Sequence, residues 1–418
     1  MSFSTAITGL NAATADLSVI SNNVANSNTT GFKSSRAEFS DLVPTSSLNP
    51  SAAGVAGSGV QLAAISQQFQ QGSISATGNP LDLAINGEGF FRLNDNGAIV
   101  YTRAGNFGVD ANGYVVNNAG LRLTGYQADA SGTLTHALGD LKLGAQSMPP
   151  KLTSTVNYGL NLDSGATAID TTKTPFSPTN SASYNYSATI TVFDSLGVSH
   201  TLTAYFVKPD ATKNNWDTHF TLDGGVPFDN TTTPPTPTVY NGGQLQFDTS
   251  GKITGGTPIK LQNMDTGNAA AKLDLNLDFA NTTQYGGQFI TNSLSQDGYA
   301  SGTLNSVDIG NDGIVHGRYS NEQSVVLGQV ALADFANQQG LRPIGDTNWA
   351  ETYSSGAPLV GAPSTGKLGQ VRAQSLEGSN VDLTAQLVGM INAQRNFQAN
   401  AQVLTTSNSL TQTILNLR

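Results

Sequence analysis

Histidine and carboxylate side chains are the first candidates for chemistry in this sequence. The four histidines, His136, His200, His219 and His316, are scattered, and their spacing is not that of metal ligands. We interpret each of them as an ordinary strand or loop residue. The chain has 29 Asp and Glu residues, so an acid–base pair of carboxylates stays open, but no spacing nominates one. The sequence therefore offers no candidate catalytic residue, and we expect a protein that is not an enzyme.

Glycine-containing motifs give no binding site either. The glycines at 54, 57 and 59 are not followed by the Lys-Ser/Thr pair of a phosphate-binding loop. Residues 87–89 (Gly-Glu-Gly) precede no helical pattern, so we interpret them as a turn. Residues 308–319 faintly resemble a calcium loop, but the third and twelfth positions are glycine and tyrosine, which favours a β-turn. No cofactor or metal is expected.

Composition narrows the class of protein further. The chain of 418 residues is long enough for two to four domains, and only 11% of its residues are charged, against about 25% in typical soluble proteins. The formal net charge is −10 and no Lys/Arg cluster occurs, which argues against a nucleic-acid partner. There is no cysteine, so disulfides and thiolate sites are excluded. No apolar run approaches the ~20 residues of a membrane span, and the start lacks an ordinary signal peptide.

The two ends of the chain predict helices with heptad-like apolar spacing. The apolar positions of the N-terminal helix include Leu10, Leu17, Ile20 and Val24. Those of the C-terminal helix include Leu383, Leu387, Met390, Phe397, Leu404, Leu410, Ile414 and Leu417. Asn380 or Asp382 can cap the second helix. We expect the ends to pair as a coiled-coil-like core and to pack against neighbouring subunits. A purely intramolecular hairpin remains the alternative.

Between the helices the pattern is that of β-strands. Residues 81–126 alternate short apolar runs with Asn-Gly and Asp-containing turns, which predicts antiparallel hairpins. Residues 188–207 predict a hairpin around Asp194–Gly197, and residues 273–279 alternate as a half-buried strand should. Residues 44–59 are rich in Pro, Gly, Ser and Ala and predict a flexible loop.

The fold class that follows is multidomain α+β, with discontinuous antiparallel β-domains inserted between long terminal helices. The expected parts are a helical core (1–30 and 380–418), connectors (31–72 and 364–379), a middle β-domain (73–146 and 283–363) and an inserted outer β-domain (147–282).

Four stretches of the sequence resemble the bacterial flagellar rod and hook subunits, a family of axial proteins. They are LSVISNNVANSNTTGFKSSRAEF (17–39), NPLDLAINGEGFFRL (79–93), YSNEQSVVLGQVALADFAN (319–337) and SNVDLTAQLVGMINAQRNFQANAQVLTTSNSLTQTILNLR (379–418). The signature positions are Asn26, Gly31, Phe32 and Lys33. The chain length and the inserted block resemble the hook-type members rather than the shorter rod subunits.

This resemblance implies a structural subunit that self-assembles into a curved, hollow universal joint, which transmits motor torque from rod to filament. The partners that the resemblance implies are further copies of the same chain, a hook cap scaffold, the distal rod protein, the hook–filament junction protein and the flagellar type III export apparatus. It implies an extracellular location, without a cleaved signal peptide, nucleic-acid partner or membrane insertion. Phe39 and Val43 resemble the family's export-gate recognition element, although their spacing alone equally suits one amphipathic turn.

Two other classes stay open from sequence alone. One is a distal rod subunit, because the loop at 44–61 is longer than in some hook-type members and leaves the curvature of the tube uncertain. The other is a secreted β-rich adhesin, which the middle domains alone would permit. The helices with heptad-like apolar spacing at both ends do not suit an adhesin. Cysteine cross-links found in some family members cannot form in this chain.

Overall fold

Both ends of the chain are α-helical, and the described residues between them form mainly β-strands. The computed structural model describes residues 2–42, 57–129, 132–143, 147–225, 238–266 and 270–416. The helices are α1 (Ser2–Ala25) and α2 (Leu383–Asn416). Among the described residues, neither helix combines the length and the hydropathy that a bilayer-spanning segment requires.

The strands follow one another in short runs separated by turns. In chain order they are β1 (Ser35–Asp41), β2 (Val60–Gln67), β3 (Ile74–Ala76), β4 (Leu83–Asn86), β5 (Phe90–Asp95), β6 (Ala98–Thr102), β7 (Phe107–Val109), β8 (Val115–Asn117), β9 (Arg122–Ala128), β10 (Leu134–Asp140), β11 (Ser147–Met148), β12 (Thr155–Asn161), β13 (Tyr186–Phe193), β14 (Ser199–Val207), β15 (Asn215–Leu222), β16 (Tyr240–Phe247), β17 (Ile253–Gly255), β18 (Ile259–Met264), β19 (Leu273–Asp278), β20 (Ile290–Gln296), β21 (Gly302–Ile309), β22 (Ile314–Tyr319), β23 (Ser324–Val330), β24 (Leu332–Asp334), β25 (Arg342–Gly345), β26 (Asn348–Ala350), β27 (Leu359–Gly361), β28 (Gln370–Ala373) and β29 (Ser375–Glu377). The chain divides into two compact units. Unit 1 comprises Met1–Gln146, Asn305–Arg318 and Ser324–Arg418, and unit 2 comprises Ser147–Leu304 and Tyr319–Gln323.

Unit 1 joins distant parts of the chain through strand pairing. β1 and β2 form an antiparallel ribbon that contacts α1. β3 pairs with β29 and β4 with β28, so the segment that follows α1 is bound to the segment that precedes α2. The main sheet contains the order β22-β23-β9-β5-β6-β26-β25. Its core includes the fully buried Leu83, Phe91, Leu93, Leu123 and Leu332.

Unit 2 has its own core between two sheets. One is the antiparallel sheet β13-β14-β15-β16-β17, and the other has the order β18-β19-β12-β20, in which β12 and β19 are parallel. Side chains from both sheets form a single apolar cluster, which includes Tyr158, Phe206, Trp216, Phe220 and Phe279. Because large aromatic side chains each bury much apolar area, this cluster contributes strongly to the stability of unit 2.

Local turn chemistry accounts for the predicted hairpins. β5 and β6 pair around Asp95–Gly97, β7 and β8 pair around 110–113, and β13 and β14 pair in the register that places Phe193 opposite Ser199. In the last of these, the Asp194 carboxylate accepts the backbone N–H groups of Leu196 and Val198, each at 2.8 Å. β19 shows the expected alternation of burial. These strand predictions are confirmed, whereas most of the predicted loop at 44–59 lies outside the described residues.

The Asp297 carboxylate in unit 2 gives a prediction for acid stability. It accepts the backbone N–H groups of Ser154 and Thr155 at 2.8 and 2.9 Å. Burial raises its pKa, but these bonds, with the Ser154 hydroxyl and Lys151, outweigh burial and lower the pKa to about 2. Since an unfolded Asp has a pKa of about 3.9, the stabilisation is present above pH 4 and is lost as the pH falls toward 2.

We therefore expect Asp297→Asn to lower the free energy of unfolding at neutral pH and to remove part of its dependence on pH. The two unfolding curves should converge toward pH 2. Denaturant unfolding followed by Trp216 fluorescence in a Trp349→Phe background measures this, because the chain has two tryptophans and only Trp216 lies in unit 2. Parallel pH profiles for the two proteins would contradict the assignment.

Candidate assembly site

The two terminal helices pack against each other in antiparallel fashion. Three pairs of residues approach across the contact: Asn23 with Gln386, Ile20 with Gly389, and Gly9 with Asn400. In these pairs the residue number falls along α1 by the same amount as it rises along α2. In this register Ser2 lies opposite Ser407, so the last turns of α2 extend past the start of α1.

Small side chains form much of the contact between the helices. Ala6, Ala13 and Ala393 are buried. A Cβ added to Gly9 would lie 2.7 Å from the Asn400 Oδ1 atom, so glycine at this position leaves room for the Asn400 side chain. Because small residues exclude little volume, the larger apolar side chains of α2 are not needed to fill this contact.

The structure divides the predicted core residues into an inner and an outer set. On α1, Ile20 is buried, and Leu10, Leu17 and Val24 are half-buried. On α2, Met390 and Leu404 are half-buried, whereas Leu383, Leu387, Phe397 and Leu410 are exposed. Ile414 lies in α2, and Leu417 lies outside the described residues. The helices pair, but the larger side chains of α2 mostly face away from α1.

An apolar stripe follows the outer side of α2. Leu383, Leu387 and Ile391 recur at four-residue spacing and are 46%, 50% and 49% exposed. Val388 and Val403 add to the exposed apolar surface of the helix, and Phe3 and Ile7 do so on α1. We call Leu383, Leu387, Val388 and Ile391 the outer stripe. A contiguous apolar surface of this kind is typical of a protein–protein contact site.

Few ions interrupt this surface. Asp16 is the single charged residue of α1 and Arg395 the single one of α2. Burial raises the pKa of the Asp16 carboxyl above its usual value. Because desolvating ions is the costly step in bringing surfaces together, a helix pair with two charges can be covered at low electrostatic cost.

The Asp382 side chain caps the N-terminal end of α2. Its Oδ1 atom accepts the backbone N–H groups of Thr384 at 2.9 Å and Ala385 at 3.1 Å. Asp382 is therefore the capping residue, one of the two candidates from the sequence. Asn380, the other candidate, accepts the Ser34 N–H at 2.8 Å and donates to backbone carbonyls in the segment that follows β2.

Comparison with known proteins decides the family. The flagellar hook protein FlgE of Salmonella typhimurium is 42% identical over 426 residues, covering all of both chains. The chain belongs to the flagellar hook protein family. The FlgE of Treponema pallidum is 34% identical and covers 96% of each chain. Members of this hook protein family are structural subunits of the bacterial flagellar hook, and this chain is one of them.

Four family descriptions match successive parts of the hook protein chain. They are "Flagella basal body rod protein" (3–33), "Flagellar hook protein FlgE/F/G D1 domain" (84–170), "Flagellar basal body protein FlaE D2 domain" (161–299) and "Flagellar basal body rod FlgEFG protein C-terminal" (372–417). The crystal structure of Helicobacter pylori flagellar hook protein FlgE2 shares the fold, with a TM-score of 0.53 and 16% identity. It covers 72% of this chain and 100% of the other.

The hook-family signature residues lie where α1 meets the β-strands of unit 1. The Asn26 side chain donates to the Asn22 carbonyl at 3.0 Å and closes the end of α1. Gly31 has a φ of +69°, and a Cβ there would lie 2.5 Å from the Ala104 nitrogen, so glycine is required. Phe32 is half-buried.

Lys33, the last signature residue, belongs to a buried ionic cluster. Its Nζ atom lies 2.6 Å from Glu377 Oε1, and Arg103 Nη1 lies 3.2 Å from Glu377 Oε2. The side chains of Lys33 and Glu377 are fully buried, and that of Arg103 is 3% exposed. Burial lowers the pKa of Lys33, and the neighbouring Glu377 carboxylate opposes that shift. We call Lys33, Arg103 and Glu377 the connector cluster.

Two residues that sequence reasoning did not single out complete this junction. Asn23 accepts the Ser35 N–H at 2.8 Å and donates to the Ser35 carbonyl at 2.7 Å, which binds α1 to the start of β1. Glu377 is the other, because it interacts with both buried cations. The "SNNVAN" stretch was the available signal for Asn23, while no local pattern marked Glu377.

The residues that resemble an export-gate element are only partly described. Phe39 lies in β1 at the irregular step between Glu38 and Phe39 and is 40% exposed. Val43 lies outside the described residues. The recognition role of Phe39 and Val43 remains a prediction.

Proposed function

We propose that the paired helices form the inner, torque-transmitting layer of a hollow hook, in which the outer stripe of each subunit packs against the helices of its neighbours. The observation that carries this proposal is the exposure of Leu383, Leu387 and Ile391 along one side of a helix already paired on its other side. In this assembly the paired ends act as the coiled-coil-like core that the heptad spacing predicts.

The gain from covering the outer stripe is large enough to drive assembly. Fully burying a leucine or isoleucine side chain contributes about 1.5–3 kcal/mol, and these residues are about half exposed in the single subunit. Several such side chains per subunit therefore add several kcal/mol to each subunit's contact. Inter-subunit packing of Met390, Phe397, Leu404 and Leu410 would extend the same layer.

The β-structure forms the exchangeable outer layers in this proposal. We retain the four-part division into helical core, connectors, middle β-domain (73–146 and 283–363) and inserted outer β-domain (147–282). Because only 11% of the residues are charged, neighbouring β-surfaces can slide without breaking many ion pairs. Such a joint bends while its inner layer transmits motor torque from rod to filament.

The remaining partners follow from the place of a hook subunit in the flagellum. We infer export by the flagellar type III apparatus without a cleaved signal peptide and growth beneath a hook cap scaffold. We also infer contact with the distal rod protein at one end and the hook–filament junction protein at the other. The location is extracellular, and no enzymatic step is involved.

Charge placed on the outer stripe tests the assembly proposal. We expect Leu387→Asp with Ile391→Asp to raise the critical concentration for polymerisation roughly 100-fold or more, because each carboxylate would have to be desolvated in the contact. Sedimentation and electron microscopy of the purified protein under polymerising conditions measure this.

The matched control is Leu387→Met with Ile391→Leu, which keeps both positions apolar and of similar size. It should polymerise nearly as the wild type does. Far-UV circular dichroism of the aspartate variant should show helix content close to that of the wild type, because both positions are half exposed in the subunit. Normal tubes from the aspartate variant would refute the proposal.

A further inference from the structure

The connector cluster joins the two segments that lead to the terminal helices. Lys33 follows α1, Glu377 ends β29 just before α2, and Arg103 follows β6 in the main sheet. Lys33 and Glu377 are 344 positions apart in the chain, yet their side chains are fully buried together. The cluster can therefore form only when both ends of the chain are seated on the same part of unit 1.

Each polar group of the Glu377 carboxylate has a dedicated partner. Besides Lys33 and Arg103, its Oε1 atom accepts the Gly72 N–H at 2.9 Å. The cations are bound in turn by backbone carbonyls, Lys33 by Gln70 at 2.8 Å and Arg103 by Gly87 at 2.9 Å. The Glu377 carbonyl also accepts the Gly31 N–H at 2.8 Å.

Such an arrangement is all-or-none. A buried ion that loses its partner is strongly unfavourable, whereas replacing all partners by apolar groups is often neutral. Displacement of the Glu377 segment alone would leave Lys33 and Arg103 buried without their counter-charge. A partly formed cluster is therefore destabilised more strongly than the complete cluster is stabilised.

We propose that the connector cluster is a conformational lock that couples the seating of both terminal helices to the β-structure of unit 1. When the cluster is formed, the C-terminal end of α1 and the N-terminal end of α2 keep one fixed position on the β-structure of unit 1. With the Glu377 charge removed, the two connector segments open together while the strand core stays folded. The lock is a property of the single subunit and does not depend on the proposed polymer contacts.

Amide hydrogen exchange of the full-length monomer tests the lock. In Glu377→Gln, which leaves Lys33 and Arg103 without their counter-charge, exchange at the Gly31 and Ser34 amides should accelerate on the order of 10²–10³-fold, while the Phe91 amide in the strand core keeps its protection. The triple variant Lys33→Met, Arg103→Met, Glu377→Met should exchange more slowly at Gly31 and Ser34 than Glu377→Gln does, because it leaves no buried charge.

The matched control is Asp140→Asn, which breaks the partly exposed ion pair between Arg122 and Asp140 in the same unit. It should change exchange at Gly31 and Ser34 by less than about threefold, because exposed pairs contribute little. Three results would overturn the lock: less than about threefold acceleration in Glu377→Gln, equal acceleration at Phe91, or exchange in the triple variant that is as fast as in Glu377→Gln. Because no polymer is measured, failure of the lock is distinguishable from failure of the assembly proposal.

Discussion

Removing residues 1–24 is expected to abolish tube formation completely while leaving the strand cores of both units folded. The deletion removes Gly9 and Ile20, which approach Asn400 and Gly389 across the helix contact, together with the buried Ala6, Ala13 and Val19. α2 would then have no intramolecular partner, and helices in water depend on packing of an apolar face for most of their stability. Electron microscopy should show no tubes, and far-UV circular dichroism should show the loss of more helix than α1 alone contains.

Point variants distinguish a requirement for helix pairing from a requirement for the N-terminal segment itself. Ala13→Asp places a charge in the contact, where Ala13 is 6% exposed, whereas Asn11→Asp places the same charge on the exposed side of α1. Hydrogen exchange along α2 in the monomer should accelerate in the first variant and stay unchanged in the second. Normal tubes from the truncated chain would refute the assembly proposal.

Local features of the sequence were sufficient to predict the helices and many hairpins. Asn-Gly and Asp-containing turns specify their own backbone conformation, so the hairpin at Asp95–Gly97 and the one around Asp194 follow from residues within a few positions of one another. Asp382 caps α2 by accepting the backbone N–H groups of Thr384 and Ala385 in its first turn. The family signature also pointed to the junction after α1, where Gly31 has the positive φ that favours glycine.

Contacts between distant residues could not be predicted in the same way. The pairing of β3 with β29 and of β4 with β28 brings together segments about 300 residues apart, and short strands carry no signal for their partners. No local feature of the sequence distinguished Glu377 from the other carboxylates, because its burial depends on Lys33 and Arg103. The close helix contact was also hidden, since small residues such as Gly9 and Ala393 weaken the heptad signal that larger side chains give.

Replacing Ser147–Leu304, which is all of unit 2 except Tyr319–Gln323, by a short linker is expected to leave assembly intact and to change the curvature or stiffness of the tube. Unit 1 has its own apolar core, and the short strand β11 pairs antiparallel with the start of β21. Paired strands lie about 5 Å apart, so a Gly-Ser linker of a few residues can replace Ser147–Leu304. The variant retains α1, α2 and the outer stripe, which in this proposal supply the inter-subunit core.

Negative-stain electron microscopy of tubes formed by the excised chain measures the expected change. Tubes should appear at a critical concentration within about tenfold of the wild type, because the helix contacts are unchanged, but with a different distribution of curvature. A chain in which the linker is inserted between Gln146 and Ser147 without any deletion is the control for the linker itself. Loss of all tubes from a folded excision variant would show that the β-structure of unit 2, rather than the helix pair, supplies an essential part of the inter-subunit contact. Unchanged curvature would show that unit 2 does not set the shape of the joint.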